Sequence, residues 1–97
     1  MKKLIFTSCI CINMLFSSEL DRALKFTESG EYNKAVEAFE NFLKKNNSPV
    51  AQFNLAVFYK NGIGVEKNIE KSKEYFLKSC KGGLIGACIN YEKLIRH

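Results

Sequence analysis

A chain that does chemistry must bring titratable or nucleophilic side chains together, and this sequence of 97 residues offers few. Its one histidine, His97, is the last residue, a position prone to fraying and ill suited to a Ser-His-Asp or Cys-His arrangement. Ser29, Ser48, Ser72 and Ser79 are followed three residues on by Tyr32, Ala51, Tyr75 and Gly82. None of them makes the Ser-x-x-Lys pattern in which a lysine tunes the nucleophile. Gly62-x-Gly64 and Gly82-Gly83 neither follow a strand pattern nor lead into Gly-Lys-Ser/Thr, so they are not phosphate loops. A zinc site lacks enough ligands. Glu37, Glu40, Glu70 and Glu74 lie among lysines and read as helix-surface pairing facing water. No catalytic residue, metal site or cofactor is expected.

Cysteine is the remaining reactive type. Cys9 and Cys11 fall in an N-terminal stretch with the logic of a secretory signal peptide: Met1-Lys2-Lys3, an apolar run from Leu4 to Phe16, then Ser17-Ser18. The run is too short to cross a bilayer core of about 30 Å as a helix. Residues 1–18 are expected to be a leader cleaved near Ser18. Thr7-Ser8 before Cys9 raises a lipid-anchored alternative, but the apolar segment ahead of Cys9 is only a few residues long. Cleavage leaves Cys80 and Cys88, and an exported chain meets an oxidising compartment, so this pair is expected to form a disulfide. A redox-active thiol pair and half of a metal site are the alternatives. Redox pairs usually sit closer together, as in C-x-x-C.

The elements that position these residues read as helices. Apolar residues recur at helical spacing, β-branched residues are scattered, and the single proline, Pro49, falls at a helix start. Glu19 to Glu28 is the first helix, stopped at Ser29-Gly30. Tyr32 to Lys45 is the second, with an inward stripe of Tyr32, Ala35, Val36, Phe39, Phe42 and Leu43. Ser48-Pro49 opens the third, a hydroxyl N-cap followed by proline at the first helical position. That helix is apolar almost all round and is expected at the centre of the domain, with Gly62 closing it. Asn68 caps a fourth helix, Ile69 to Lys81, and Gly82-Gly83 stops it. Leu84 to Ile95 is the last, with Leu84, Ala87, Cys88, Tyr91 and Ile95 on one side.

These helices repeat. Tyr32, Lys34, Ala35, Glu37, Phe39 and Lys44 recur at an offset of 37 as Ile69, Lys71, Ser72, Glu74, Phe76 and Lys81. Leu20, Ala23, Leu24 and Phe26 recur at 33 as Phe53, Ala56, Val57 and Tyr59, and a third unit begins at 36 with Ala87 and Asn90. Helix pairs with periods in the thirties stack as solenoids, with small residues where paired helices approach. The expected domain is therefore residues 19–97, in units of about 19–47 and 48–83 with a cap at 84–97. The stretch Ala51-x-x-Asn54-Leu55-Ala56-x-x-Tyr59-x-x-Gly62-x-Gly64-Val65, continued by Lys71, Tyr75-Phe76, Ser79 and Ala87, resembles a Sel1-like repeat. The earlier pair, with Ala23, Gly30, Tyr32, Ala35 and Phe39, is similar to a tetratricopeptide repeat. The spacing Cys80-x₇-Cys88 resembles the cysteine pairs of the secreted Helicobacter cysteine-rich proteins. The resemblance implies an all-α, short right-handed α/α solenoid with a C-terminal capping helix, exported to the periplasm or beyond. It also brings the β-lactamase or penicillin-binding label of those relatives as an alternative function. Ser72 and Ser79 depart from it, standing where alanines are usual.

Partners follow from charge and face. The net charge is +5, or +3 once Lys2 and Lys3 leave with the leader, and arginine is limited to Arg22 and Arg96. Aromatics are not interleaved with the basic residues, so no nucleic acid is expected, and the lysines read as solvated surface. No stable membrane span remains after cleavage. The expected role is an interaction module for a protein or peptide, bound in the groove of the first helices of successive units. Groove-facing candidates are Phe53, Val57, Lys60, Asn61, Ile89 and Lys93, and the open solenoid ends are candidates for self-association. For Phe53 and Val57 the alternative is plain core.

Overall fold

The computed structural model describes residues 19–96. The expected leader, its cleavage near Ser18, Cys9, Cys11 and His97 lie outside the described residues. Within them every regular element is an α-helix: residues 19–28 (α1), Tyr32–Leu43 (α2), Pro49–Asn61 (α3), Ile69–Lys81 (α4) and Ile85–Ile95 (α5). This is the all-α repeat architecture expected, built of helix pairs. The second helix ends at Leu43, so Lys44 and Lys45 lie in the turn and not in the last helical turn as the sequence suggests.

Helix ends follow local chemistry. Ser48 accepts a hydrogen bond from the Ala51 N–H at 3.2 Å with Pro49 at the first helical position, and Asn68 accepts from the Lys71 N–H at 3.0 Å. These side chains satisfy N–H groups that the first helical turn leaves without partners. Gly30, Gly62 and Gly83 have φ of 81°, 66° and 103°. After each, the next N–H bonds the carbonyl five residues back: Glu31 to Phe26, Ile63 to Phe58 and Leu84 to Ser79. This six-to-one closure is the Schellman ending, and it needs a left-handed residue that glycine supplies without steric cost.

α3 is the centre of the fold. Its Ala51, Leu55, Phe58 and Tyr59 join Ala23, Ala35, Val36, Phe39 and Phe42 in one buried cluster, and its Ala56 joins Phe76 and Ala87 in a second. The repeat pairing is visible in burial. Ala23 and Ala56, Ala35 and Ser72, and Phe39 and Phe76 are all fully buried. Small side chains at the first two pairs let helices approach, and burying each phenylalanine contributes about 1.5–3 kcal/mol. Phe58 packs tilted against Phe39 and Tyr32, with ring centroids 6.1 Å apart in both cases, and Phe53 meets Phe76 edge-on at 5.6 Å.

The loop after α3 is fixed at both ends. The Asn68 N–H bonds the Tyr59 carbonyl at 2.8 Å, and Ile63 and Val65 pack on the core. Gly64, at φ 69°, lies so close to the start of α2 that a Cβ there would stand 2.6 Å from the Cβ and carbonyl oxygen of Tyr32. The loop of the second unit thus rests on the backbone of the first.

Candidate interaction face

The candidate binding residues sit on the sides of α3 and α5 that α4 does not fully cover. Phe53 and Val57 are half-buried and pack on the Ala56–Phe76–Ala87 cluster, so each is partly core and partly surface. A Cβ built at Gly86 would stand 3.8 Å from the Phe53 ring, which puts the start of α5 beside it. Ile85 and Ile89, flanking Gly86, are 74% and 53% exposed. Lys93 is exposed and lines a shallow pocket with Cys88, Ile89, Glu92 and Arg96. Lys60 is half-buried, and the exposed Asn61 donates its side-chain amide to the Val57 carbonyl at 3.0 Å. Gly86 brings the start of α5 to Phe53, and Ile89 and Lys93 share a pocket; Asn61 is occupied in ending its own helix. The sequence pattern placed Ile95 inward, yet it is 51% exposed, and Leu94 packs on the cluster in its place. Ile85 is an addition that the sequence reading did not single out. Its position one turn before Ile89 is the signal that would have found it.

Cys80 and Cys88 are joined across the α4–α5 turn, with Cα atoms 4.7 Å apart. The bond ties the last helix to α4. Ala87 is the only residue of α5 that is fully buried, so this staple holds a helix with little core of its own.

The described serine hydroxyls have structural roles. Ser72 donates to the Ala56 carbonyl and Ser79 to the Pro49 carbonyl, both at 2.7 Å. Both serines are fully buried, and their bonds stitch α4 to the backbone of α3. A hydroxyl is thus more than a small side chain at these two positions. Ser48 is an N-cap, and Ser29 donates to the Phe26 carbonyl and the Glu31 carboxylate. No group of three His, Cys, Asp or Glu side chains among the described residues is placed to hold a metal ion.

A polar network lies behind α3. Glu40, expected to face water, is half-buried and accepts the Tyr59 hydroxyl at 2.6 Å. The reason is tertiary: α3 brings Tyr59 against the α2 surface that the helical pattern assigns to solvent. Burial and then the Glu40 bond raise the Tyr59 pKa well above the usual phenol value, and burial and then the Glu40 charge raise that of Tyr75. The two rings stack at 6.0 Å, and the Lys71 ammonium lies 5.1 Å from the Tyr59 centroid. Such a contact is worth about 0.5–1 kcal/mol at an exposed site. Lys71, expected to face outward, is accordingly half-buried. At the exposed Glu31, hydrogen bonds from Lys34 and Ser29 hold the carboxyl pKa down.

Comparison with known proteins gives one positive finding. Residues 49–84 match the family model of the Sel1 repeat, covering α3, the glycine loop, α4 and the turn into α5. Sel1 repeats are in general protein-interaction modules. No curated protein and no solved structure matches the chain. No helix among the described residues is long and apolar enough to cross a membrane.

Proposed function

We propose that this chain is an exported protein- or peptide-binding module of the cell envelope or the space beyond it, using the face shared by α3 and α5. The observation that carries the reading is the exposed apolar pair Ile85 and Ile89 on α5, the helix whose Gly86 lies beside the half-buried Phe53, with Lys93 lining the same shallow pocket as Ile89. Such a surface suits an apolar side chain followed by a carboxylate or another negative group. The leader-like residues 1–18 and the Cys80–Cys88 bridge support export, since disulfides persist in oxidising compartments. The same pair supports kinship with the secreted Helicobacter cysteine-rich proteins. No described serine has the surroundings that a β-lactamase or penicillin-binding activity requires.

The test is affinity capture from periplasmic extract with the oxidised protein, read by mass spectrometry. A partner retained by the native chain and lost by Ile85→Asp/Ile89→Asp, with circular dichroism unchanged, supports the reading. A partner set indifferent to that change refutes the assigned face. Sustained nitrocefin turnover abolished by a single Ser→Ala change would instead establish an enzyme. Export is tested by fusing residues 1–18 to a periplasm-dependent reporter, and self-association through the solenoid ends by light scattering.

A further inference from the structure

A second site lies away from that face, in the cleft between α2 and α4 above the start of α3. Its volume is about 950 Å³, and it shares no lining residue with the α3–α5 face. Four lysines line it: Lys44 and Lys45 just past the end of α2, Lys78 and Lys81 in the last turn of α4. Lys44 and Lys81 are repeat equivalents, so the stacking of units brings the two basic helix ends together. The ion pairs among the described residues are Lys34–Glu31, Lys73–Glu70 and Arg96–Glu92, so none of the four has a carboxylate partner. Two carboxylates also line the cleft. Glu40 is committed to the Tyr59 hydroxyl, and Glu37 is exposed at the edge of the cleft.

Cations near helix C-termini are favoured by the helix dipole, which accounts for the lysines alone. It does not account for Gln52, which also lines the cleft and is only 6% exposed. Its Nε2 donates to Asn47 Oδ1 at 2.9 Å, while its buried Oε1 has no donor. Buried polar atoms without partners are rare and call for one. A ligand that completes this site must carry negative charge for the lysines and an N–H for Gln52. Sulfate carries no donor hydrogen and would set oxygen against oxygen. A peptide with acidic side chains has both.

We propose that the α2–α4 cleft docks an acidic peptide segment, its carboxylates on Lys44, Lys45, Lys78 and Lys81 and a backbone N–H on Gln52 Oε1. The four lysines and Asn47 are exposed, and movement of these side chains opens the amide to the ligand. The carboxylates supply long-range attraction, and Gln52 selects a peptide over other polyanions.

The experiment is fluorescence anisotropy of the oxidised protein with a labelled peptide of alternating glutamate and glycine, at about 0.15 M ionic strength, where charges are screened beyond about 8 Å. The glutamine–glycine peptide is the neutral control, and inorganic pyrophosphate and a DNA oligonucleotide are competitors. Binding is expected to weaken at least about tenfold in Lys78→Glu/Lys81→Glu, equivalent to about 1.4 kcal/mol. Gln52→Met keeps volume and removes the unpartnered acceptor together with the Nε2 bond to Asn47. It is expected to weaken peptide binding about threefold, a loss comparable to one hydrogen bond, with the circular dichroism spectrum unchanged. The Gln52 side-chain amide resonances are expected to shift on titration of the native protein. Absence of binding, binding indifferent to Gln52→Met, or displacement by pyrophosphate or DNA at the concentration at which the unlabelled peptide displaces overturns the proposal. Lys60→Glu/Lys93→Glu is expected to leave this affinity unchanged; a loss there would move the site to the α3–α5 face.

Discussion

Reducing the Cys80–Cys88 bond is expected to release α5 while α3 and α4 stay folded together. The cysteines are 8 residues apart in sequence, and closing so short a loop restricts the unfolded chain by about 2.5 kcal/mol in the chain-entropy account. Where that stabilisation is felt depends on packing. α5 fully buries only Ala87, with Leu84, Tyr91 and Leu94 half-buried, and it exposes Ile85, Ile89 and Ile95. α4 is held independently by Phe76 and by the Ser72 and Ser79 bonds to α3. The loss therefore falls on local opening of α5. Hydrogen-exchange protection over Ile85–Ile95 is expected to drop about 60-fold on reduction, at 1.4 kcal/mol per factor of ten. Exchange mass spectrometry of the oxidised and reduced forms reads this without altering the sequence. Equal loss of protection in α3 would show that the bond supports the whole fold. Unchanged protection in α5 would show that packing alone holds it. Either result refutes the reasoning.

Three further outcomes are expected. Gly64→Ala destabilises more than Gly30→Ala in urea denaturation. Both glycines have positive φ, but only Gly64 has the Tyr32 backbone in the way, adding about 1–3 kcal/mol of overpacking to about 1–2 kcal/mol of backbone cost. Ser72→Ala and Ser79→Ala each cost about 0.5–1.5 kcal/mol in the same assay, the net worth of one hydrogen bond, although alanine is the residue that the resemblance leads one to expect. Tyr59→Phe costs about 1.5–3 kcal/mol near neutral pH, because its hydroxyl bonds a charged carboxylate. Its folded-state pKa is raised, so the folded chain keeps a proton that the unfolded chain gives up above about pH 10. Stability then falls as pH climbs past that value. The fall is shallower in Tyr59→Phe, as read by thermal melts across an alkaline series with tyrosinate absorbance as the companion signal.

Much of the fold was legible because its signals are local. Ser48 and Asn68 act on N–H groups three residues away, and Gly30, Gly62 and Gly83 let the next N–H reach a carbonyl five residues back. The small residues Ala23, Ala35, Ala56 and Ser72 could be assigned to helix crossings because the repeat places them there twice. The misreadings have a common origin. Glu40 and Lys71 were sorted by helical face alone, yet a side chain of another helix decides their burial. Glu40 lies on the polar side of α2, but α3 delivers a tyrosine hydroxyl to it. Lys71 lies on the polar side of α4, but its ammonium settles over the Tyr59 ring. Of the proposed interaction face, Phe53 and Ile89 were singled out from spacing relative to Ala56 and Tyr59. Ile85 and Gln52 were missed because exposure and an unmet hydrogen bond are properties of the assembled chain.

The sequence by itself determined that the described residues are helical, where the capped helix ends at Ser48-Pro49, Asn68, Gly30, Gly62 and Gly83 fall, that the units repeat, and that α3 is central. Those facts depend on propensities, caps and periodicity within a few residues of each position. Only the tertiary structure decided which polar groups are spent in holding helices together and which are left for a partner. Ser72, Ser79 and Glu40 find acceptors or donors 16, 30 and 19 residues away along the chain, whereas Gln52 Oε1 and the apolar side chains of Ile85 and Ile89 find none. The difference between a satisfied group and an unsatisfied one depends on what packing brings within about 3 Å, which no spacing along a single helix specifies.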